Sequence, residues 1–351
     1  MSSIFPSEKE IEHIENVKKK IASSIRECIT GIDYDLKFAG STELGTFVSG
    51  EHDVDVFIIS KDKDRAFDMV SKCISGARKK GELDIWHTSV DGVEVDIVFI
   101  DPRHPKTQTL LHTEHYKKVL TGDMKREIIK AKALMKNRGC YSAELGGITG
   151  IALTELIVKY GSLEKACEAL ERDKGLILQD PTNPKRNLLA SVTPTKWECI
   201  KKACREYRET GKLPTEKYTE ETFKKEMKEK GFSILELPRQ DDVAVDYSRV
   251  MSICNACGNE LVNLEKDVEK PECNAYVKSK TIIAFKAPEK LSEEKEVRIS
   301  RNLPEEVLEA FKKVHPDAKV EGEYLVAKVK RKITEPKKWL EQCITDKYII
   351  A

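Results

Sequence analysis

The sequence predicts an α+β protein of several domains: an α/β N-terminal part, a helical middle and a small α/β C-terminal part. Three observations predict it. At 351 residues the chain is longer than one ordinary compact core. Apolar residues alternate with polar ones between Leu36 and Pro102, whereas spacings of three and four take over from Asp123 to Leu170. Strand, helix and strand patterns then return beyond a charged stretch at residues 208 to 232 that holds Gly211 and Pro214. The expected divisions are residues 1–118, 119–214 and 215–351.

Taken in order, Ser7 with Glu10 forms a capping box. Behind it Ile11, Ile14, Val17, Ile21 and Ile25 make one apolar helical face. A strand around Leu36 and Phe38 runs into a Gly-Ser turn, and DVDVFIIS is the next strand. A helix is expected over residues 63 to 80, then strands in GELDIWHT and GVEVDIVFI. Residues 103 to 118 read as a polar connector with His104, His112 and His115. REIIKAKALMKNRG and TGIALTELIVKYG read as helices, and residues 176 to 193 as a proline-containing loop before another helix. FSILELP, KTIIAFKAP and EYLVAKVKRKI are expected strands, and LPEEVLEAFKKVHP a helix.

Lys+Arg 61 against Asp+Glu 60 leaves a net charge near zero, so overall charge announces no nucleic-acid partner, although a neutral total can hide a basic face. No apolar run reaches the roughly 20 residues needed to span a bilayer, and the N-terminus enters a charged helix directly. The ten cysteines are scattered, which fits reduced thiols in a cytoplasmic protein. Cys254 and Cys257 have the spacing of half a zinc site, with Cys273 further on. No second pair follows and their segment has helical periodicity, so buried helical cysteines are expected.

The chemistry lies in FAGSTELGTFVSGEHDVDVFI, residues 38 to 58. Alternate residues of a strand share a face, so Asp53 and Asp55 point the same way while Val54 and Val56 pack behind them. A later strand repeats the device, with Glu94 and Asp96 opposite Val93, Val95 and Ile97. If the two strands are neighbours, Asp53, Asp55 and Asp96 converge, and clustered anions repel unless cations lie between them. Hard oxygen ligands suit Mg²⁺. Two such ions about 4 Å apart activate an attacking hydroxyl and stabilise a leaving pyrophosphate. Gly40 permits close backbone approach, Ser41 offers donors to a triphosphate, and Thr46 braces the loop.

This ordered set, GS followed by D-x-D and a later D, resembles the polymerase-β-type nucleotidyltransferase superfamily. The chain is similar to the archaeal (class I) CCA-adding enzymes in further runs: TLLH, KALMKNRGCYSAEL, GITGIALTELIVKYGS and DPTNPKRNLLASV. The resemblance is clear to about residue 210. It implies a polymerase-β-like palm followed by the helical domain, with Asp53, Asp55 and Asp96 holding two Mg²⁺ ions. It also implies that Asp96 helps to deprotonate the primer hydroxyl, and that Ser41 contacts the triphosphate. His112, Lys132 and Tyr141 would line the incoming nucleotide, with Arg186 and Asn187 near the base and the RNA end. The implied partners are tRNA, CTP and ATP, with no membrane.

Two departures stand out. Leu44 occupies a place where the family often has arginine, and the chain stops soon after the C-terminal α/β part, where mainline members continue into a tail. Grip on the upper half of tRNA is therefore expected to be weakened, directed at a smaller RNA, or supplied by a second copy of the chain or a separate tail-like partner. The rival activities are a terminal transferase adding one nucleotide type or oligo(A), an RNA-binding homologue without catalysis, and transfer of AMP to protein. Lys328, Lys330 and Lys332 on one face of the last expected strand read either as a phosphate-tracking surface or as a solvated edge.

Overall fold

The computed structural model describes residues 3–79, 83–104, 108–142, 146–172, 175–241 and 243–350. They form two compact units, residues 1–219 and 220–351.

The first unit opens with α1 (Glu8–Cys28), capped by the Ser7 side chain, which accepts the Glu10 amide. Its apolar face (Ile14, Val17, Ile21, Ile25) is buried. There follow β1 (Asp35–Ala39), the short α2 (Gly40–Leu44), β2 (Asp53–Ile59), α3 (Lys63–Cys73), β3 (Ala77–Lys79), β4 (Asp84–Val90) and β5 (Val93–Ile100). The five strands make one sheet in the order β1-β2-β5-β4-β3. Its β2–β5 pair is parallel and the other pairs are antiparallel. One face packs on α1 and α3 through Val54, Val56, Val95 and Ile97, which leaves the alternate residues of β2 and β5 on the opposite face.

The helix expected over 63 to 80 ends at Cys73, because the chain turns at Gly76 and re-enters the sheet as β3. Only glycine fits there, since a Cβ would overlap the Trp86 ring and the His87 carbonyl. The expected polar connector is instead largely α4 (Gln108–Val119), with Leu110 and Tyr116 buried beneath it; residues 105–107 of that stretch lie outside the described ones.

A second core in this unit is built by α5 (Gly122–Asn137), α6 (Gly150–Tyr160), α7 (Leu163–Arg172) and α8 (Pro194–Thr210). Thr121, Thr149 and Thr193 cap α5, α6 and α8 through their hydroxyls. The proline-containing loop before α8 holds a small hairpin, β6 (Gln179–Asp180) and β7 (Asn183–Asn187).

Two pairs of cysteines in this unit are disulfide-bonded, Cys28 with Cys73 and Cys140 with Cys199, which corrects the expectation of reduced thiols. The cause is placement: the ends of α1 and α3 bring one pair of Cα atoms to 5.8 Å.

The second unit contains α9 (Glu220–Glu229), β8 (Ser233–Pro238), α10 (Val243–Leu264), β9 (Glu272–Val277), β10 (Lys280–Lys286), β11 (Glu294–Ser300), α11 (Glu305–Val314), β12 (Lys319–Glu321), β13 (Tyr324–Lys330) and α12 (Pro336–Ile350). Two antiparallel sheets result, β8-β10-β9 and β11-β13-β12. Cys254 and Cys257 are buried in α10, packed with Ile283, Leu340 and Ile344. The strand carrying Lys328 and Lys330 is central, not an edge. Lys332 lies beyond it, because the buried Glu265 carboxylate takes the Lys332 and Ile333 amides at 2.7 and 3.0 Å. Among the described residues no helix is long and apolar enough to cross a membrane.

Candidate active site

The parallel pairing of β2 with β5 sets Asp53 beside Glu94 and Asp55 beside Asp96. Asp53 is exposed, whereas Asp55 and Asp96 are half-buried. Burial, with Asp53 and Asp96 close by, pushes the Asp55 carboxyl up to about 7. Asp96 is met from the other side by two cations or donors: Lys79 Nζ at 2.6 Å and His87 Nδ1 at 2.7 Å. His87 sits directly across from Asp96 on β4, and its Nε2 lies 2.5 Å from Glu94. A cavity of about 350 Å³ opens over this cluster, with Glu51, His52 and Lys136 on its rim. Among the described residues no three metal-ligating side chains are drawn together as a finished cage. That agrees with Asp96 being turned toward Lys79 and His87.

Gly40 holds the carboxylates' floor. Its φ of +79° suits glycine, and a Cβ there would overlap the Asp55 carboxylate. The expected Gly-Ser turn is the first turn of α2, where the Thr42 hydroxyl donates to the Asp53 carbonyl at 3.0 Å. The Ser41 carbonyl accepts the Thr46 amide at 2.9 Å. Thr46 in turn accepts Lys132 Nζ on its carbonyl at 2.9 Å and its hydroxyl at 3.2 Å. Burial, aided by Lys136, lowers the Lys132 ammonium to about 7, and Asp53 opposes that fall. The Tyr141 hydroxyl is pushed up to about 12 by burial and by Asp53 and Glu51. Gly150 leaves room for it, since a Cβ there would lie 2.8 Å from the Tyr141 oxygen and 3.5 Å from Lys132 Cε. Leu44 is buried, so its side chain belongs to the interior.

His112, Arg186 and Asn187 belong to a different cluster, centred on Asp180. The Asp180 side chain is 0% exposed. It accepts His112 Nε2 at 2.7 Å from α4, and both the amide and the hydroxyl of Thr182 at 2.8 Å. Arg186 Nη1 approaches its other oxygen at 3.4 Å. Burial pushes the Asp180 carboxyl up, but these donors outweigh it and hold the group below the usual carboxylate range. Asn187 turns inward, its Oδ1 accepting the Leu178 and Leu189 amides at 3.0 and 3.1 Å, so it braces the hairpin.

The structure therefore brings together the carboxylates, Gly40, Thr46, Lys132 and Tyr141, and separately gathers His112, Arg186 and Asn187. The sequence reading passed over Lys79, His87, Lys136 and Asp180. His87 had a usable signal, since antiparallel pairing of its strand with GVEVDIVFI places it across from Asp96.

Residues 17–125 match the nucleotidyltransferase domain family. That part of the chain is similar to nucleotidyltransferase domains. The fold of that part is α+β, a five-stranded sheet with helices packed on one face. The chain is similar to archaeal CCA-adding enzymes. It is 25% identical over 247 residues to that of Methanosarcina acetivorans, covering 59% of this chain and 54% of the relative. For Pyrobaculum islandicum the figures are 26% over 230 residues, 55% and 55%. For Methanothermobacter thermautotrophicus they are 28% over 221 residues, 50% and 48%. The chain thus spans about half the length of the curated relatives it matches. Among solved structures, that of a cytoplasmic RNA terminal U-transferase overlays with a TM-score of 0.48 at 13% identity, covering 58% of this chain and 89% of that one. That score is too low to bear on substrate.

Proposed function

We propose that this nucleotidyltransferase domain adds C, C and A to the 3′ end of tRNA, using CTP and ATP and releasing pyrophosphate. The observation that carries the reading is the pairing of Asp55 with Asp96 on adjacent parallel strands, above the close approach of Gly40, in a chain similar to CCA-adding enzymes. In the reaction the primer's 3′-oxygen bonds to the α-phosphorus of the nucleotide. The bond to the pyrophosphate oxygen breaks, and the hydroxyl proton passes to Asp96.

Magnesium fits the donor set: these are hard carboxylate oxygens, and a cation would favour the ionised form of Asp55, whose carboxyl is raised first by burial and then by Asp53 and Asp96. Asp53, Asp55 and Asp96 would hold it. Two bound ions would supply charge neutralisation at the entering and leaving oxygens.

The protein's own groups do the positioning. Gly40 keeps the α2 backbone against Asp55, and Ser41 contacts the triphosphate. Thr46 fixes Lys132, whose ammonium lies within the field of Asp53 and is drawn to full charge by phosphate. Tyr141 closes the nucleotide side beside it, and His112 and Arg186 approach the base and the RNA end. Asn187 acts through the hairpin it braces.

Labelled CTP and ATP offered with Mg²⁺ to tRNA transcripts ending before the CCA test this. Ordered C, C, A addition, lost in an Asp53→Ala/Asp55→Ala double variant, is the expected result. Addition of a single nucleotide type would keep the chemistry and overturn the CCA reading. Tight tRNA binding without incorporation would overturn both.

A further inference from the structure

We propose that Asp180 is a positioning residue: one buried carboxylate that sets His112 and Arg186 together for the incoming nucleotide. This rests on the reading above that both side chains approach the nucleotide.

Three features of the geometry support it. Asp180 joins two separate stretches of chain, since His112 lies 68 residues away on α4 and Arg186 lies on β7. The carboxylate is divided between them: Oδ1 takes His112 Nε2 and both Thr182 donors, while Oδ2 faces the Arg186 guanidinium. A carboxylate accepts only, so His112 must carry its hydrogen on Nε2. Its ring orientation and tautomer are therefore dictated by Asp180. Arg186 is 50% exposed at its side chain and is anchored by the same group.

Burial decides between this role and a mere turn lock. A local turn of the form Asp-x-Thr needs the carboxylate to meet only Thr182, and such turns ordinarily lie at the surface. Here the carboxylate is fully buried and its shortest contact is with His112, across 68 residues. A buried carboxylate without donors is costly, so the site is stable only with these partners in place. Changing Asp180 therefore releases two side chains that it does not resemble chemically.

The test is steady-state kinetics for CTP and ATP, with nucleotide binding measured separately by titrating a non-hydrolysable CTP analogue. Asp180→Asn retains shape and the Oδ1 acceptor for Thr182 and His112, so the hairpin stays folded while the oxygen facing Arg186 becomes an amide donor that repels the guanidinium. It is expected to raise KM and the analogue's Kd by about 10- to 100-fold, with a smaller change in kcat. In an Arg186→Ala/His112→Ala background the same change is expected to add less than about 2-fold, because the groups it acts through are gone. Histidine ¹⁵N spectra, assigned with His112→Gln, are expected to show the Nε2-protonated ring in the wild type and in Asp180→Asn, which keeps the Oδ1 acceptor, and a mixture of tautomers in Asp180→Ala. If Asp180→Ala fails to fold, the KM and Kd of Asp180→Asn still decide the matter through Arg186. Unchanged KM and Kd in a folded Asp180→Asn, or losses that add in full to those of the background, would overturn the proposal. If the wild type transfers only one nucleotide type, the CCA reading fails while this comparison is still made with that nucleotide. A wild type that neither incorporates nor binds nucleotide would overturn both.

Discussion

Two carboxylates of the first unit are withdrawn from water, and they solve the problem in opposite ways. Asp180 is surrounded by donors from His112, Thr182 and Arg186, and its carboxyl is held below the ordinary range. Asp55 has Asp53 and Asp96 for neighbours, and burial first and these carboxylates second push its carboxyl up to about 7. The first arrangement is complete in the protein alone and specifies geometry. The second is left electrostatically unfinished, which costs stability and marks a place where a cation belongs. On the proposed reading, the difference separates a residue that shapes a site from residues that do chemistry in it.

The comparison breaks first on activity. Asp55→Ala is expected to lower nucleotide incorporation by about 10³-fold or more, equivalent to roughly 4 kcal/mol of lost transition-state stabilisation, chiefly in kcat. A loss at Asp55 no larger than that at Asp180, or one confined to KM, would put both carboxylates in the same class. Gly40→Ala comes next. Its new methyl would push against Asp55 in a backbone conformation that disfavours side chains, and a shift of about 1 Å there is worth roughly 10² in rate. Full activity in Gly40→Ala would show that the close approach of α2 to β2 is incidental. Lys132→Met should also cost about 10²-fold, mostly in KM for the nucleotide, since the lysine's charge is what phosphate binding restores. Isotope-labelled incorporation under saturating and limiting nucleotide separates the two parameters.

The same contrast explains what could be read from the chain. Asp53 and Asp55 are two residues apart on a strand, so period-two geometry alone gives them one face, and the β2–β5 register then supplies Asp96. In the second core α5, α6 and α8 were legible for a similar reason, each having a local period and a threonine cap. Asp180 has no local signature. Its meaning depends on His112, and the connector holding that histidine looked polar and irregular because much of α4 is charged or exposed. β3 was hidden for another reason: Ala77, Arg78 and Lys79 are exposed and carry no apolar alternation, so only the Gly76 contact with β4 reveals the return to the sheet. The disulfides were likewise invisible, since they depend on which segments the fold brings together.

The smallest effect is thermodynamic, and it probes the unfinished half of the comparison directly. Asp55 has a folded-state pKa of about 7, above its unfolded value near 3.8, so the native state holds the proton more tightly. Below the unfolded value the group is neutral in both states and contributes nothing. As pH rises from about 4 to about 7 the unfolded chain ionises first, and stability falls; above about 7 the full cost is present. Asp55→Asn removes that cost. In EDTA at pH 8 it should therefore melt above the wild type, by roughly 2–4 °C for each kcal/mol of that cost in a unit of this size, and the gain should vanish near pH 4. Magnesium reverses the order at pH 8, because binding to the ionised cluster stabilises only the wild type. Scanning calorimetry at the two pH values, with and without Mg²⁺, gives all four numbers. An Asp55→Asn protein that melts below the wild type in EDTA would mean that the carboxylate is already compensated within the chain, as Asp180 is, and that the surplus charge on which the metal assignment rests is not there.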